Sequence, residues 1–269
     1  VIELRDVKFG YGGGLAAVDG VSMKIEDGEF VAVIGSNGAG KSTVSRLIRG
    51  LLKPEAGYVL VDDEDTRTMR ASALAGKMGF LFQNPDRQIC KSTVMEEMLF
   101  TLACAKVDKG ERAALAAEMI ERFGIPAEAD PTALSRGERQ RVALMSTFVS
   151  RPGTLILDEP TTGLDFRECA RIMDAIAEKN RAGATVVMVC HDMEVVLDYA
   201  RRAVVMDKGK IVADGAPAEV FYSGAIRAAR VLPPQIIELS LALGRAYGDV
   251  ATAEELADAI AARAGRETA

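Results

Sequence analysis

The 269-residue sequence contains no tryptophan, a single histidine and four cysteines, and aromatic residues make up only 5% of it. Stacking platforms for single-stranded nucleic acid need aromatic faces, so they are poorly supplied. Cys90, Cys104, Cys169 and Cys190 form no CxxC pair, and with His191 as the sole imidazole a zinc site is all but excluded. Four unpaired thiols suit a reduced, cytosolic setting. No apolar run approaches the roughly 18–20 residues that span a bilayer. Nor does the chain, which begins at Val1, open on a basic segment followed by a long apolar run. A soluble protein is expected, with any membrane role reached through a partner. The formal net charge of −6 argues against a domain built to neutralise a phosphate backbone, so no nucleic-acid partner is expected. Hydrophobic residues at 49% and charged residues at 27% are ordinary globular usage, which excludes disorder and fibrous repeats.

What is present alternates between strand-like and helix-like segments, the pattern of an α/β domain. Ile2 to Tyr11 and Val21 to Ile25 alternate apolar and polar residues around the glycine cluster Gly12–Gly14, as antiparallel strands at an edge do. Phe30–Ile34, Thr154–Leu157 and Thr185–Val189 are continuous apolar runs, the mark of strands buried on both faces. Between Gln83 and Ser150 helical periodicity takes over, with helices expected over Thr93–Ala105, Lys109–Phe123 and Arg136–Val149. A hairpin about Lys208-Gly209 closes this core, and two further helices are expected over Pro234–Leu243 and Thr252–Ala264.

Gly35-Ser36-Asn37-Gly38-Ala39-Gly40-Lys41-Ser42 fits the phosphate-loop pattern G-x-x-x-x-G-K-[ST], and it follows a buried strand and opens a helix. Small residues let successive backbone N–H groups converge on phosphate oxygens, and the helix N-terminus adds partial positive charge. Lys41 is expected at the β- and γ-phosphates and Ser42 at Mg²⁺; Thr43 either helps at the α-phosphate or simply belongs to the first helical turn. Leu155-Ile156-Leu157-Asp158-Glu159 delivers two acids at a strand C-terminus, where ligands bind in parallel sheets. With a phosphate loop in the same chain, Asp158 is expected in the Mg²⁺ shell and Glu159 as the group that orients or deprotonates the attacking water.

Leu134-Ser135-Arg136-Gly137-Glu138-Arg139-Gln140 resembles the signature motif of ATP-binding-cassette ATPases. Other cassette elements stand in the matching order across residues 1–222. Tyr11 looks like the aromatic that stacks on adenine, Gln83 like the Q-loop glutamine at nucleotide and Mg²⁺, Asp165 in Gly163-Leu164-Asp165 like the D-loop, and His191 like the switch histidine at the γ-phosphate. The resemblance implies an α/β P-loop NTPase fold of the cassette type, with an antiparallel β edge, a helical subdomain near 84–150 and a C-terminal helical extension over 223–269. It also implies that ATP lies between the phosphate loop of one chain and Ser135 and Gly137 of another, so two cassette chains must meet head to tail.

Arg136 and Glu138 depart from the usual L-S-G-G-Q. Ser135-x-x-Glu138 is also a capping box, and both roles are compatible if the Ser135 hydroxyl exchanges its capping bond for a phosphate oxygen. Arg136 is expected to offset the Glu138 charge near polyphosphate, and Arg136→Gly to leave turnover equal or higher.

Asn84-Pro85-Asp86-Arg87-Gln88 is similar to the Q-loop of energy-coupling-factor transporter ATPases, and Leu232–Ile236 and Thr252–Leu256 resemble their C-terminal dimer-contact segment. That resemblance implies a motor subunit on the cytoplasmic face of the membrane. Its partners would be a second cassette chain, a transmembrane coupling subunit received near Asp86–Glu97, and a substrate-binding membrane component. The cargo class would be vitamins or cobalt and nickel ions. A cassette of another transporter class, or one serving nucleic acid or the ribosome, is the alternative.

Overall fold

The computed structural model describes residues 1–12, 16–244 and 247–267, with side chains through 263. Gly13 and Gly14 of the glycine cluster lie outside the described residues. The elements run β1 (Ile2–Gly10), β2 (Ala16–Ile25), β3 (Phe30–Gly35), α1 (Lys41–Ile48), β4 (Ala56–Val61), β5 (Glu64–Asp65), α2 (Ala71–Lys77) and β6 (Met78–Leu81). Three helices follow, α3 (Val94–Cys104), α4 (Lys109–Phe123) and α5 (Arg136–Phe148). Then come β7 (Thr154–Asp158), α6 (Phe166–Arg181), β8 (Thr185–Val189), α7 (Met193–Tyr199), β9 (Arg202–Asp207) and β10 (Lys210–Gly215). The chain ends in α8 (Pro217–Tyr222), α9 (Gly224–Ala228), α10 (Gln235–Ala242) and α11 (Ala253–Glu267).

Six strands form one sheet in the order β10-β9-β3-β8-β7-β6, parallel except for β10. The three apolar runs sit in its middle, and their alternate residues face opposite cores. Phe30, Ala32, Ile34, Leu155, Leu157, Val186 and Met188 point into a core shared with α3, α4, α5 and α6. Val31, Val33, Ile156, Val187 and Val189 point into a second core with α1 and the other sheet. A strand that packs on both faces has no place for polar residues, which is why these runs are unbroken.

The antiparallel edge is a sheet of its own, β2-β1-β4-β5. Ala56–Val61 completes it, a strand that the sequence pattern does not announce. Its burial alternates through exposed and half-buried positions, so its apolar signal is short. The helices expected between Gln83 and Ser150 form close to their expected bounds. Asp108 caps α4 by accepting from the Gly110 amide, and Gly124 ends it at φ 64°, the left-handed position that glycine tolerates best. Among the described residues no helix is long and apolar enough to cross a membrane.

Candidate active site

Four neighbouring parallel strands end at one edge of the six-stranded sheet, and each carries a motif at its C-terminus. The phosphate loop follows β3, Cys190 and His191 follow β8, Asp158 and Glu159 end β7, and Phe82 and Gln83 follow β6. The sequence places Gln83 at the end of a strand Phe80-Leu81-Phe82; β6 instead stops at Leu81, so Phe82 and Gln83 begin the loop.

The loop after β3 is shaped by close backbone approach. Gly35 stands at φ 146°, where a Cβ would lie 2.2 Å from the Met206 carbonyl oxygen; at Gly40, φ 105°, a Cβ would lie 2.4 Å from that of Ala17. No side chain caps α1, whose first turn also carries no acid, so its N-terminal amides are open to an anion. Lys41 is buried, and its Nζ donates to the carbonyls of Gly35 at 2.7 Å and Ser36 at 3.0 Å. Burial lowers its ammonium pKa, while Glu159 and Asp158 act in the opposite direction. Ser42 is half-buried in the first turn of α1, and Asn37 and Gly38 form the exposed tip of the loop. Ala39 is buried and accepts from the Gly209 amide through its carbonyl.

Glu159 is the hub of the opposite wall. Its backbone is left-handed at φ 51°, unusual for a residue with a Cβ, and its amide donates to the Val189 carbonyl at 2.9 Å. The carboxylate accepts from Gln83 Nε2 at 2.6 Å and from Thr162 Oγ1 at 2.9 Å, and His191 Nε2 lies 2.8 Å from its second oxygen. Glu159, His191 and Gln83 are thus already in contact. Asp158 receives no hydrogen bond from the described side chains. Burial, followed by the neighbouring Glu159 charge, raises its pKa, with Arg46, Arg49 and Lys41 opposing. A carboxylate in that setting suits a hard cation. Ser42, Gln83 and Asp158 supply oxygen donors of the kind Mg²⁺ takes, alongside phosphate. Among the described residues no three His, Cys, Asp or Glu side chains are placed to hold a metal ion between them.

Tyr11 is exposed, stands edge-on to Phe9, and brings its hydroxyl within 3.2 Å of Thr43 Oγ1; Arg46 also reaches that hydroxyl. Thr43, buried in α1, therefore has a partner in the Tyr11 hydroxyl. Ser135, Gly137 and Asp165 are not part of this cluster. They line a separate cleft with Gly163 and Glu168, whereas Glu159, His191 and Gly163 line a cleft of about 580 Å³ with Leu232 and Pro234 of the C-terminal segment. The capping box forms in full: the Ser135 hydroxyl accepts from the Glu138 amide, and Glu138 Oε2 accepts from the Ser135 amide at 2.9 Å and its hydroxyl at 2.7 Å. Asp165 caps α6 by accepting from the Glu168 amide.

Arg136 does not offset Glu138. Its Nη2 donates 3.1 Å to the Thr162 carbonyl, and the Glu138 charge is met instead by the Ser135 donors. The contacts of Thr162, Gln140 and Gln88 are not legible in the sequence, although Gln140 and Gln88 lie within its motifs. Gln88 takes the Phe82 amide on Oε1 and donates from Nε2 to the Ala143 carbonyl and the Ser146 hydroxyl, tying the Q-loop to α5. A glutamine in a polar stretch carries no sequence signal for such a role. Glu97, inside the stretch expected to meet a partner, is buried and accepts from the Cys90 and Lys91 amides.

Residues 18–162 match the family model for the ABC transporter. The chain is 38% identical, over 89% of its length and 78% of the relative's, to the energy-coupling factor transporter ATP-binding protein EcfA of Methanothermobacter thermautotrophicus. It is also 39% identical, over 92% of its length, to a protein described as an ABC transporter ATP-binding protein of Caldanaerobacter subterraneus subsp. tengcongensis, and spans 44% of it. This chain thus spans under half of some of the curated relatives it matches. Among solved structures, cbiO1 of Clostridium perfringens, part of the ABC transporter complex cbiONQ, superposes with a TM-score of 0.76 at 31% identity, covering 91% of this chain and 96% of that one. The cassette MJ0796, solved as a dimer with ADP and Pi, gives 0.73 at 29% identity, covering 81% and 99%. With more than half of its length matched by the family model, the chain belongs to the ABC transporter family of ATP-binding cassettes.

Proposed function

We propose that this chain is the ATP-hydrolysing subunit of an energy-coupling-factor-type importer of a micronutrient, a vitamin or a cobalt or nickel ion, at the cytoplasmic face of the membrane. The observation that carries the reading is the convergence of Lys41, Asp158, Glu159, His191 and Gln83 on the ends of adjacent strands. Names of relatives, EcfA and cbiO1, support the transporter class.

Lys41 exchanges the Gly35 and Ser36 carbonyls for phosphate oxygens, and the open amides of α1 take the remaining phosphate charge. Ser42, Gln83 and Asp158 would hold a Mg²⁺ ion, which would supply charge neutralisation on the phosphates. Glu159 accepts a hydrogen bond from the attacking water, and His191, beside it, orients the carboxylate and meets the γ-phosphate. Tyr11 offers its exposed ring to adenine. Ser135 and Gly137 lie in another cleft of the same chain, so they serve an ATP held by a second cassette. Two identical chains would form an isologous pair with two equivalent sites, closing on ATP and loosening after hydrolysis. Residues 1–222 act as the cassette, with the helical insertion over 84–150, and 223–269 as a dimer-contact extension.

The exposed stretch Asp86, Arg87 and Lys91 remains the candidate contact for a transmembrane coupling subunit. A separate apolar groove of about 280 Å³ is lined by Leu51, Leu74, Met78 and Phe80. Arg49 stacks over Phe80 at its wall, and burial pulls this guanidinium down to about 10. Steady-state phosphate release by the purified chain tests the reading. Glu159→Gln is expected to lower turnover by about 10²–10⁴-fold with ATP affinity retained; turnover equal to that of the wild type would refute it.

A further inference from the structure

Arg136 stands where the signature motif usually has glycine, and the nucleotide chemistry above does not use it. It is the first residue of α5, and its guanidinium lies against the backbone of Gly163 while Nη2 donates to the Thr162 carbonyl. A Cβ at Gly163 would lie 2.8 Å from Arg136 Cζ and Nε, so this packing requires a residue without one, here at φ 75°. One turn along the same helix face, the buried Gln140 donates from Nε2 to the Pro160 carbonyl at 2.9 Å. α5 therefore grips two carbonyls, two residues apart, in the segment that begins at Glu159. The same segment carries the Thr162 hydroxyl that donates to the Glu159 carboxylate. Glu159 holds a left-handed backbone that needs surrounding support.

We propose that Arg136 is a positioning residue for Glu159: from the signature helix it fixes Thr162, and Thr162 aims the carboxylate. Resting on the head-to-tail reading above, this deepens it. The N-terminus of α5 meets the ATP held by the partner's phosphate loop, whereas Glu159 serves the ATP held by its own chain. Arg136 is then a side-chain link between the two sites of a pair, present because arginine replaces glycine. On this view Arg136→Gly does not leave turnover unharmed, in contrast to the expectation from charge alone.

The test compares the wild-type chain with Arg136→Gly and Arg136→Lys by amide hydrogen exchange, nucleotide affinity and steady-state ATP hydrolysis. Arg136→Gly is expected to speed exchange across residues 160–165 while leaving 35–43 unchanged. It should also lower kcat by about tenfold, with KM for ATP within about twofold of wild type. Arg136→Lys keeps one donor for the Thr162 carbonyl and is expected to recover part of both effects. Wild-type exchange across 160–165 in Arg136→Gly would overturn the proposal, as would wild-type kcat. A raised KM with unchanged kcat would place Arg136 on the nucleotide and overturn it as well. A wild-type chain that releases no phosphate would refute the ATPase reading instead, and exchange at 160–165 would still decide whether Arg136 holds the segment.

Discussion

α1 and α5 both begin at a motif expected to meet phosphate, yet their N-termini are finished in opposite ways. α1 starts after Gly40 with no side-chain cap and no acid in its first turn. α5 starts after Ser135 with a closed capping box and Glu138 in its first turn. An uncapped N-terminus leaves its amides free for an anion, whereas a capped one already has an oxygen on them. The phosphate loop is thus a receptor in the chain as it stands. The signature is a stable helix start that, on the function proposed above, would give up a bond before it takes phosphate. The first is made by backbone sterics, the second by side chains that can change partners.

The comparison breaks most severely at Gly40. Gly40→Ala puts a Cβ within 2.4 Å of the Ala17 carbonyl oxygen at φ 105°. The expected cost is roughly 3 kcal/mol or more of stability, with nucleotide binding lost. Gly38→Ala, at φ 80° with nothing within 4 Å of the added carbon, sharpens the point. It keeps only the strain of a left-handed alanine, about 1–2 kcal/mol. Chemical denaturation of the two variants measures the gap, and equal losses would mean that close approach does not shape the loop.

At α5 the expected effects are smaller. Ser135→Ala removes the cap acceptor and is expected to cost about 1 kcal/mol of stability. If the hydroxyl also serves the partner's nucleotide, as proposed, turnover should fall further than that loss accounts for. Ser135→Thr retains an acceptor and should recover most of the stability. Thermal melts alongside phosphate release separate the two contributions; an Ala variant that loses stability but turns over normally would leave Ser135 with the capping role alone.

The same contrast explains what could be read in advance. β3, β7 and β8 are unbroken apolar runs because both faces are covered, so the residues at their ends were legible, whereas the end of β6 was not. Gly35 and Lys41 were legible because a backbone cradle admits few residue types. The direction of Arg136 was not, since it depends on Gly163 leaving room on a loop distant in sequence. Nor was the Thr162 contact, because a threonine after Asp-Glu-Pro reads equally well as a turn residue. α6 went unread although half of its residues are apolar and Ile172, Met173 and Ile176 form a buried stripe at helical spacing. The antiparallel sheet was half legible: β1 and β2 alternate clearly, while β4 offers only Val59 and Val61 as buried apolar residues.

The smallest effect lies in the acid limb of stability. The Ser135 hydroxyl and amide both donate to Glu138 and hold its carboxyl below its ordinary 4.5. A carboxyl depressed by folding contributes stability above its unfolded value. That contribution fades as pH falls below about 4.5 and is gone once the lowered folded value is passed. Glutamine at the same position still closes a capping box but cannot titrate. Glu138→Gln is therefore expected to match the wild type near pH 7 to within about 0.5 kcal/mol and to lose less stability between about pH 5 and 3. Melting temperatures of the two proteins across that range decide it. Parallel acid limbs would mean that the box is held by geometry rather than by charge, which would bring α5 closer to α1 than their caps suggest.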